Sequence, residues 1–191
     1  MSPDPSEPTQ RLFFALWPQE EPRQALARAI AKAARSAGGR AVATANLHVT
    51  LAFLGSVPQR RVSEVKRLAE RAAADCVLEA PLSLRFETLA YWPRQQLLCA
   101  LASEEAPTAT ALAEALKDAA AAAGFTPDLK PFRAHVTVAR KVTHTPRRSV
   151  LRAIVWQFDA FALLDSRTEP EGPIYSVIES YPLVKAKKPH E

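Results

Sequence analysis

A strand-rich α+β fold made of two similar halves is what this sequence predicts, on three observations. Three alanine-rich amphipathic stretches read as helices, and short apolar runs between them read as strands. The third observation is a β-α-β pattern that occurs twice at nearly equal length, with 36 positions from Leu12 to His48 and 37 from Leu98 to His135. Each interval ends on a strand carrying His-x-Thr, so the fold is expected to be a duplication with pseudo-twofold symmetry.

The elements follow in order. Residues 12–17 are a short unbroken apolar run that reads as a first strand. Residues 20–37 carry Leu26, Ala29, Ile30 and Ala33 at helical spacing and stop at Gly38-Gly39. A strand is expected over 47–54. A second helix over 58–74 is entered by a proline and striped by Val62, Val65, Leu68 and Ala69. Strands over 82–89 and 97–101 flank Tyr91-Trp92-Pro93-Arg94-Gln95-Gln96, a hairpin tip. The third helix, over 108–123, is striped by Leu112, Ala115, Leu116 and Ala119 and precedes Gly124. Strands over 134–139, 160–164 and 174–181 complete the set. Residues 150–158 fit two readings, because Leu151, Ile154 and Val155 have helical spacing while the composition suits a strand.

Composition narrows the class. The chain has 191 residues, 48% hydrophobic and 24% charged, which is ordinary usage for a folded globular protein. No apolar run exceeds six residues, far short of the ~20 needed to cross a bilayer, so no membrane partner is expected. The opening MSPDPSEPTQ has no apolar h-region, and a cytoplasmic location is expected. Residues 1–10 and 185–191 read as mobile tails around a single domain over 11–184. Cys76 and Cys99, 23 positions apart with no CxxC spacing, form neither a disulfide framework nor a zinc knuckle.

On a strand, side chains alternate between faces, so His48 and Thr50 point one way and Val49 and Leu51 the other. The same holds for His135 and Thr137 against Val136 and Val138. Related by a twofold axis, the two pairs line one cleft. Imidazole is the side chain that titrates near neutral pH, so one histidine can act as acid while the other acts as base. Two such rings across a phosphate, with two hydroxyls on its oxygens, suit an in-line displacement. Metal ligation would want carboxylates or further histidines beside these strands, and neither stretch has one. No glycine-rich phosphate loop is present either, so no metal and no cofactor are expected.

The net charge of +5 is not spread evenly. Residues 129–158 hold seven Lys or Arg and no Asp or Glu, namely Lys130, Arg133, Arg140, Lys141, Arg147, Arg148 and Arg152. That excess surrounds the second motif, where a phosphate substrate would need it. Arg147 and Arg148 read as a solvated loop. His144 and His190 read as surface and tail residues.

Three stretches resemble the 2H phosphoesterase superfamily, and within it the LigT-like RNA 2′,3′-cyclic phosphodiesterases. They are Arg11-Leu-Phe-Phe-Ala-Leu-Trp-Pro18, Asn46-Leu-His-Val-Thr-Leu-Ala-Phe-Leu-Gly55 and Pro131-Phe-Arg-Ala-His-Val-Thr-Val-Ala-Arg140. The stretches 161–166 and 172–175 resemble the family's closing strands. The resemblance covers about residues 11–184. It implies two antiparallel-rich sheets forming a bilobal fold around a central cleft, with helices outside. It also implies hydrolysis of a 2′,3′-cyclic phosphate, on RNA ends or nucleotides, to a 2′-phosphomonoester. A monomer is expected.

Within that resemblance His48 corresponds to the acid that protonates the departing 3′ oxygen and His135 to the base that activates water, although the chemistry is symmetric enough to allow the reverse. Thr50, Thr137 and Arg140 correspond to phosphate ligands, and Phe53 to an aromatic that packs on a nucleobase. Strand alternation would turn Phe53 and Arg140 away from their histidines, so a bulge or strand end must re-aim them. Arg133 and Trp92 are candidate RNA contacts. Ala134 departs from the proline many relatives carry there. Other readings on the same residues are an RNA-binding module with little catalysis, 2′-5′ RNA ligation, and 3′-end exonuclease action.

Overall fold

Nine strands and three helices account for most of the chain in a computed structural model, which describes residues 7–102, 106–128, 130–145, 150–170 and 172–184. Arg147, Arg148, His190, the tail over 185–191 and the first six residues lie outside those described.

Strand β1 (Thr9–Leu16) leads into α1 (Glu20–Ser36), a two-residue β2 (Arg40–Ala41) and β3 (Val49–Pro58). Helix α2 (Val62–Asp75), β4 (Leu82–Trp92), β5 (Leu97–Ala102) and α3 (Pro107–Ala122) follow, then β6 (His135–Arg140), β7 (Val150–Phe158), β8 (Ala160–Glu169) and β9 (Gly172–Pro182). One sheet has the order β3-β1-β8-β9 and the other β2-β6-β5-β4-β7, with every pairing antiparallel. The duplication is visible in that order. In each sheet a His-x-Thr strand, β3 or β6, lies beside the strand that precedes it across a helix, β1 or β5.

The expected helices form with small shifts at their starts. Pro107 opens α3 at its first turn, where its missing N–H costs nothing. The second helix begins at Val62, not 58, because β3 runs on through Pro58 to pair with the start of β1. Gly55, at φ +74°, allows that extension at an irregularity where Leu54 has no partner on β1. β1 likewise begins at Thr9, inside the segment expected to be a tail. Residues 150–158 form a strand paired with β4. Trp156 and Phe158 of that strand are buried, Leu151 and Ile154 pack half-buried against the core and Val155 is exposed, so Ile154, Trp156 and Phe158 share one face at strand period.

The helices cross over between the halves. Helix α1, which follows β1, packs against β6 and β7 of the other sheet, and α3, which follows β5, packs against β3. The indole Nε1 of Trp156 donates to the carbonyl of Pro22 at 3.0 Å and fixes the start of α1 on β7. Beneath the helices the apolar core takes Leu12, Phe14 and Leu16 from β1, Val49 and Leu51 from β3, and Val136 and Val138 from β6. The opposite face of β1 and β8 carries a smaller cluster of Phe13, Ala15, Ala162 and Leu164, against which Trp17, Phe53 and Tyr175 pack. That second face, together with His135 and Thr137 from the other sheet, walls a cleft. Among the described residues no helix is long and apolar enough to cross a membrane.

Candidate active site

The cleft has a volume of about 370 Å³ and is lined by His48, Thr50, Phe53, His135, Thr137 and Arg140. Both motif strands therefore deliver their polar face to one place. Phe53 and Arg140 reach it through irregular register. On β3, Thr50 pairs with Ala15 and Ala52 with Phe14, so Leu51 is left over. On β6, Thr137 pairs with Cys99 and Ala139 with Leu98, so Val138 is left over. One extra residue reverses the alternation, which places Phe53 on the face of Thr50 and Arg140 on the face of Thr137.

The two imidazoles are held alike. His48 Nδ1 lies 2.7 Å from the carbonyl oxygen of Asn46, and His135 Nδ1 lies 2.7 Å from that of Arg133. A carbonyl can only accept, so Nδ1–H donates in both rings and Nε2 of the neutral ring carries the lone pair. In His48 that Nε2 is 3.0 Å from Thr50 Oγ1, whose hydroxyl donates to it. In the other half the hydroxyl of Thr137 is hydrogen-bonded with the Cys99 thiol instead, and burial pushes that thiol up to about 12.

Their surroundings differ. Phe13, Trp17 and Tyr175 enclose His48, with ring centroids 5.2, 5.7 and 5.2 Å away. His135 has Trp92 beside it at 4.7 Å. Desolvation lowers the pKa of His48 to about 4; the Asn46 carbonyl opposes this, while Arg140, His135 and Arg23 reinforce it. Desolvation also lowers His135, with the Arg133 carbonyl opposing and the Arg133 charge reinforcing.

A buried cation braces the His48 side. Arg23 donates to the carbonyls of Pro18 at 2.6 Å and Ala45 at 3.1 Å, and its guanidinium lies 4.5 Å from the Trp17 ring. Asn46 donates from Nδ2 to the carbonyl of Pro173 at 2.7 Å, tying the turn before His48 to the start of β9. These residues, with Arg11, Ser166, Thr168 and Tyr175 on the cleft wall, were not picked out as site residues in the sequence. The alternation of residues 12–17 places Phe13 on one face with Trp17, and Asn46 stands two positions before the motif histidine, so the signals were local and unread. Arg133 and Trp92 lie outside the cleft in an adjoining groove that shares Thr50, Phe53 and His135 with it. Among the described residues no three His, Cys, Asp or Glu side chains converge as a metal site would require.

Comparison with known proteins agrees with this geometry. The family model of the 2′-5′ RNA ligase superfamily matches residues 21–169. The chain is 34% identical over 184 residues to a Thermus thermophilus protein named RNA 2′,3′-cyclic phosphodiesterase, covering 91% of this chain and 90% of that one. It is 32% identical over 135 residues to an Escherichia coli protein of the same name, covering 71% and 73%. The crystal structure of Escherichia coli LigT complexed with 3′-AMP superposes with a TM-score of 0.82 at 26% identity, over 92% of this chain and 99% of that one. On its paired motifs, its two antiparallel sheets and these matches, the chain belongs to the 2′-5′ RNA ligase superfamily, the 2H phosphoesterases.

Proposed function

We propose that the protein hydrolyses 2′,3′-cyclic phosphates on RNA ends or nucleotides to 2′-phosphomonoesters, without a metal ion. One observation carries this reading: two imidazoles fixed in the same tautomer, with two threonines and an arginine, face a single cleft. The relatives named for this reaction support the same substrate class.

In the proposed step water attacks phosphorus opposite the 3′ oxygen, the P–O3′ bond breaks, and the 2′ ester stays. One histidine takes the proton of the water and the other gives a proton to O3′. Each such transfer is worth about 10²–10⁴-fold in rate. Thr50, Thr137 and Arg140 hold the non-bridging oxygens, Thr50 turning its one hydroxyl proton from His48 Nε2 to the phosphate and so freeing that lone pair for the water, and Phe53 packs on the base.

The surroundings support a division of the two roles. His48, enclosed by three rings and with its pKa near 4, rests neutral with its lone pair at Nε2 and suits the base. His135, with one ring beside it, suits the acid, and an anionic phosphate stabilises its charge. This division is the reverse of the one the resemblance implies for these positions.

The test is turnover of a 2′,3′-cyclic mononucleotide in EDTA by the wild type, His48→Ala and His135→Ala, with the product phosphate located by NMR. The reading expects a 2′-phosphate from the wild type and a loss of at least about 10²-fold in each variant. Full turnover in either variant removes that histidine from the mechanism, and loss of wild-type activity in chelator removes the metal-free step.

A further inference from the structure

The groove beside His135 is large, basic and connected to the cleft, and the cyclic phosphate itself has no need of it. Its volume is about 670 Å³, against about 370 Å³ for the cleft. Thr50, Phe53 and His135 line both, so a chain can pass from one to the other without leaving the surface. One wall is the turn between β4 and β5, with Trp92 and Arg94. The other is the end of α3 and the segment before β6, with Lys117, Lys130 and Arg133.

Among the groove-lining residues four cations face a single carboxylate, Asp128. Asp128 pairs with Lys130 at 3.2 Å, and Lys117 Nζ donates to the Lys130 carbonyl at 2.6 Å, which holds this wall in place. Lys130 and Arg94 are exposed. Phe53 and Trp92 present aromatic rings at the groove's inner end, Trp92 against His135 itself. A basic track with aromatic rings at one end is the arrangement that binds a single-stranded polynucleotide, phosphates on the cations and bases on the rings.

We infer that this groove carries the RNA strand leading to the terminal cyclic phosphate, so that the protein prefers oligonucleotide ends to mononucleotides. The inference rests on the proposed reaction for its choice of ligand. It is also consistent with the role given to His135. The 3′ oxygen that leaves belongs to the terminal ribose, so the ribose and the strand behind it lie on the acid's side. Arg94 and Lys130 then contact phosphates upstream of the reacting one, which a mononucleotide lacks.

The experiment measures binding, so it does not depend on turnover. A labelled single-stranded RNA of about five nucleotides ending in a 2′-phosphate is titrated with the protein, and a mononucleoside 2′-phosphate competes against it. The oligonucleotide is expected to bind at least about tenfold tighter. Arg94→Glu with Lys130→Glu should remove that gain and flatten the slope of log affinity against log salt by roughly one to two. Circular dichroism of the double variant controls for folding, and the milder Arg94→Gln with Lys130→Gln should give an intermediate loss.

Equal affinity for the two ligands, or a gain that survives the double charge reversal, overturns the groove. The mononucleotide turnover assay separates the two claims. A protein that turns over the cyclic mononucleotide yet shows no oligonucleotide gain keeps its reaction and loses the groove. One that shows the gain, and loses it in the double variant, keeps the groove even where no turnover is found.

Discussion

Phe53 and Arg140 stand at the same place in the two halves, three residues past the motif threonine, and a one-residue irregularity turns each onto the cleft face. Leu51 on β3 and Val138 on β6 are the residues left without a register partner on β1 and β5. The duplicated feature is therefore longer than His-x-Thr. It runs over six positions, and it ends in a ring on one wall and a guanidinium on the other. A symmetric scaffold thus presents an asymmetric pair of ligands, one suited to a base and one to a phosphate.

Arg140→Met keeps the length of the stem and removes the charge. It is expected to lower kcat/KM on a cyclic mononucleotide by about ten- to a hundredfold, the worth of a charge-assisted hydrogen bond to phosphate. Phe53→Ala should cost about tenfold in the same assay, chiefly through KM, by loss of stacking. Steady-state kinetics at one pH checks both, and an Arg140→Met enzyme with wild-type kcat/KM would place the phosphate elsewhere.

Arg23 is buried and does not line the cleft, yet it braces the loop that aims His48 and also lowers the pKa of that ring. Arg23→Met leaves the carbonyls of Pro18 and Ala45 without this donor, at a cost of about 1–3 kcal/mol each if they stay dry. A merely structural role would stop there. The account also expects the His48 titration, followed by imidazole NMR, to move upward once the neighbouring cation is gone. A destabilised variant with an unmoved His48 would confine Arg23 to packing.

His48 also links stability to pH. Its folded pKa of about 4 lies below the ordinary 6.5, so between those values the unfolded chain binds more protons than the folded one. The contribution is complete above pH 6.5 and is lost as pH falls toward 4. Over that window the wild type should lose up to ~3 kcal/mol more than His48→Gln, which does not titrate. Urea denaturation of both proteins at the two ends of the window measures the difference, and parallel losses would mean that His48 is not desolvated.

Much of this was legible in the chain because periodicity and burial agree. The stripe of α2 faces the core whole, and those of α1 and α3 do so through Leu26, Ile30 and Ala33 and through Leu112 and Leu116, while Ala29 and Ala115 are exposed; the alternation of His48 and Thr50 against Val49 and Leu51 sends the two sets to opposite faces. The irregularities were legible only as a requirement, since nothing in Thr50-Leu51-Ala52-Phe53 marks an extra residue; chemistry demanded it and register supplies it. The strand β2 was not legible at all, as Arg40–Ala41 is too short for any pattern. Tyr175 and Arg23 escaped notice because each acts across a long stretch of sequence, Tyr175 on a ring 127 positions earlier and Arg23 on a carbonyl 22 positions later.

The central claim is a pair of histidines that share one acid–base task. The most direct test is the pH dependence of kcat/KM on a 2′,3′-cyclic mononucleotide. The account predicts a bell whose acid and alkaline limbs are both set by imidazole-like groups, with apparent pKa values that belong to the pair. A profile that stays flat between about pH 5 and 8 would contradict it.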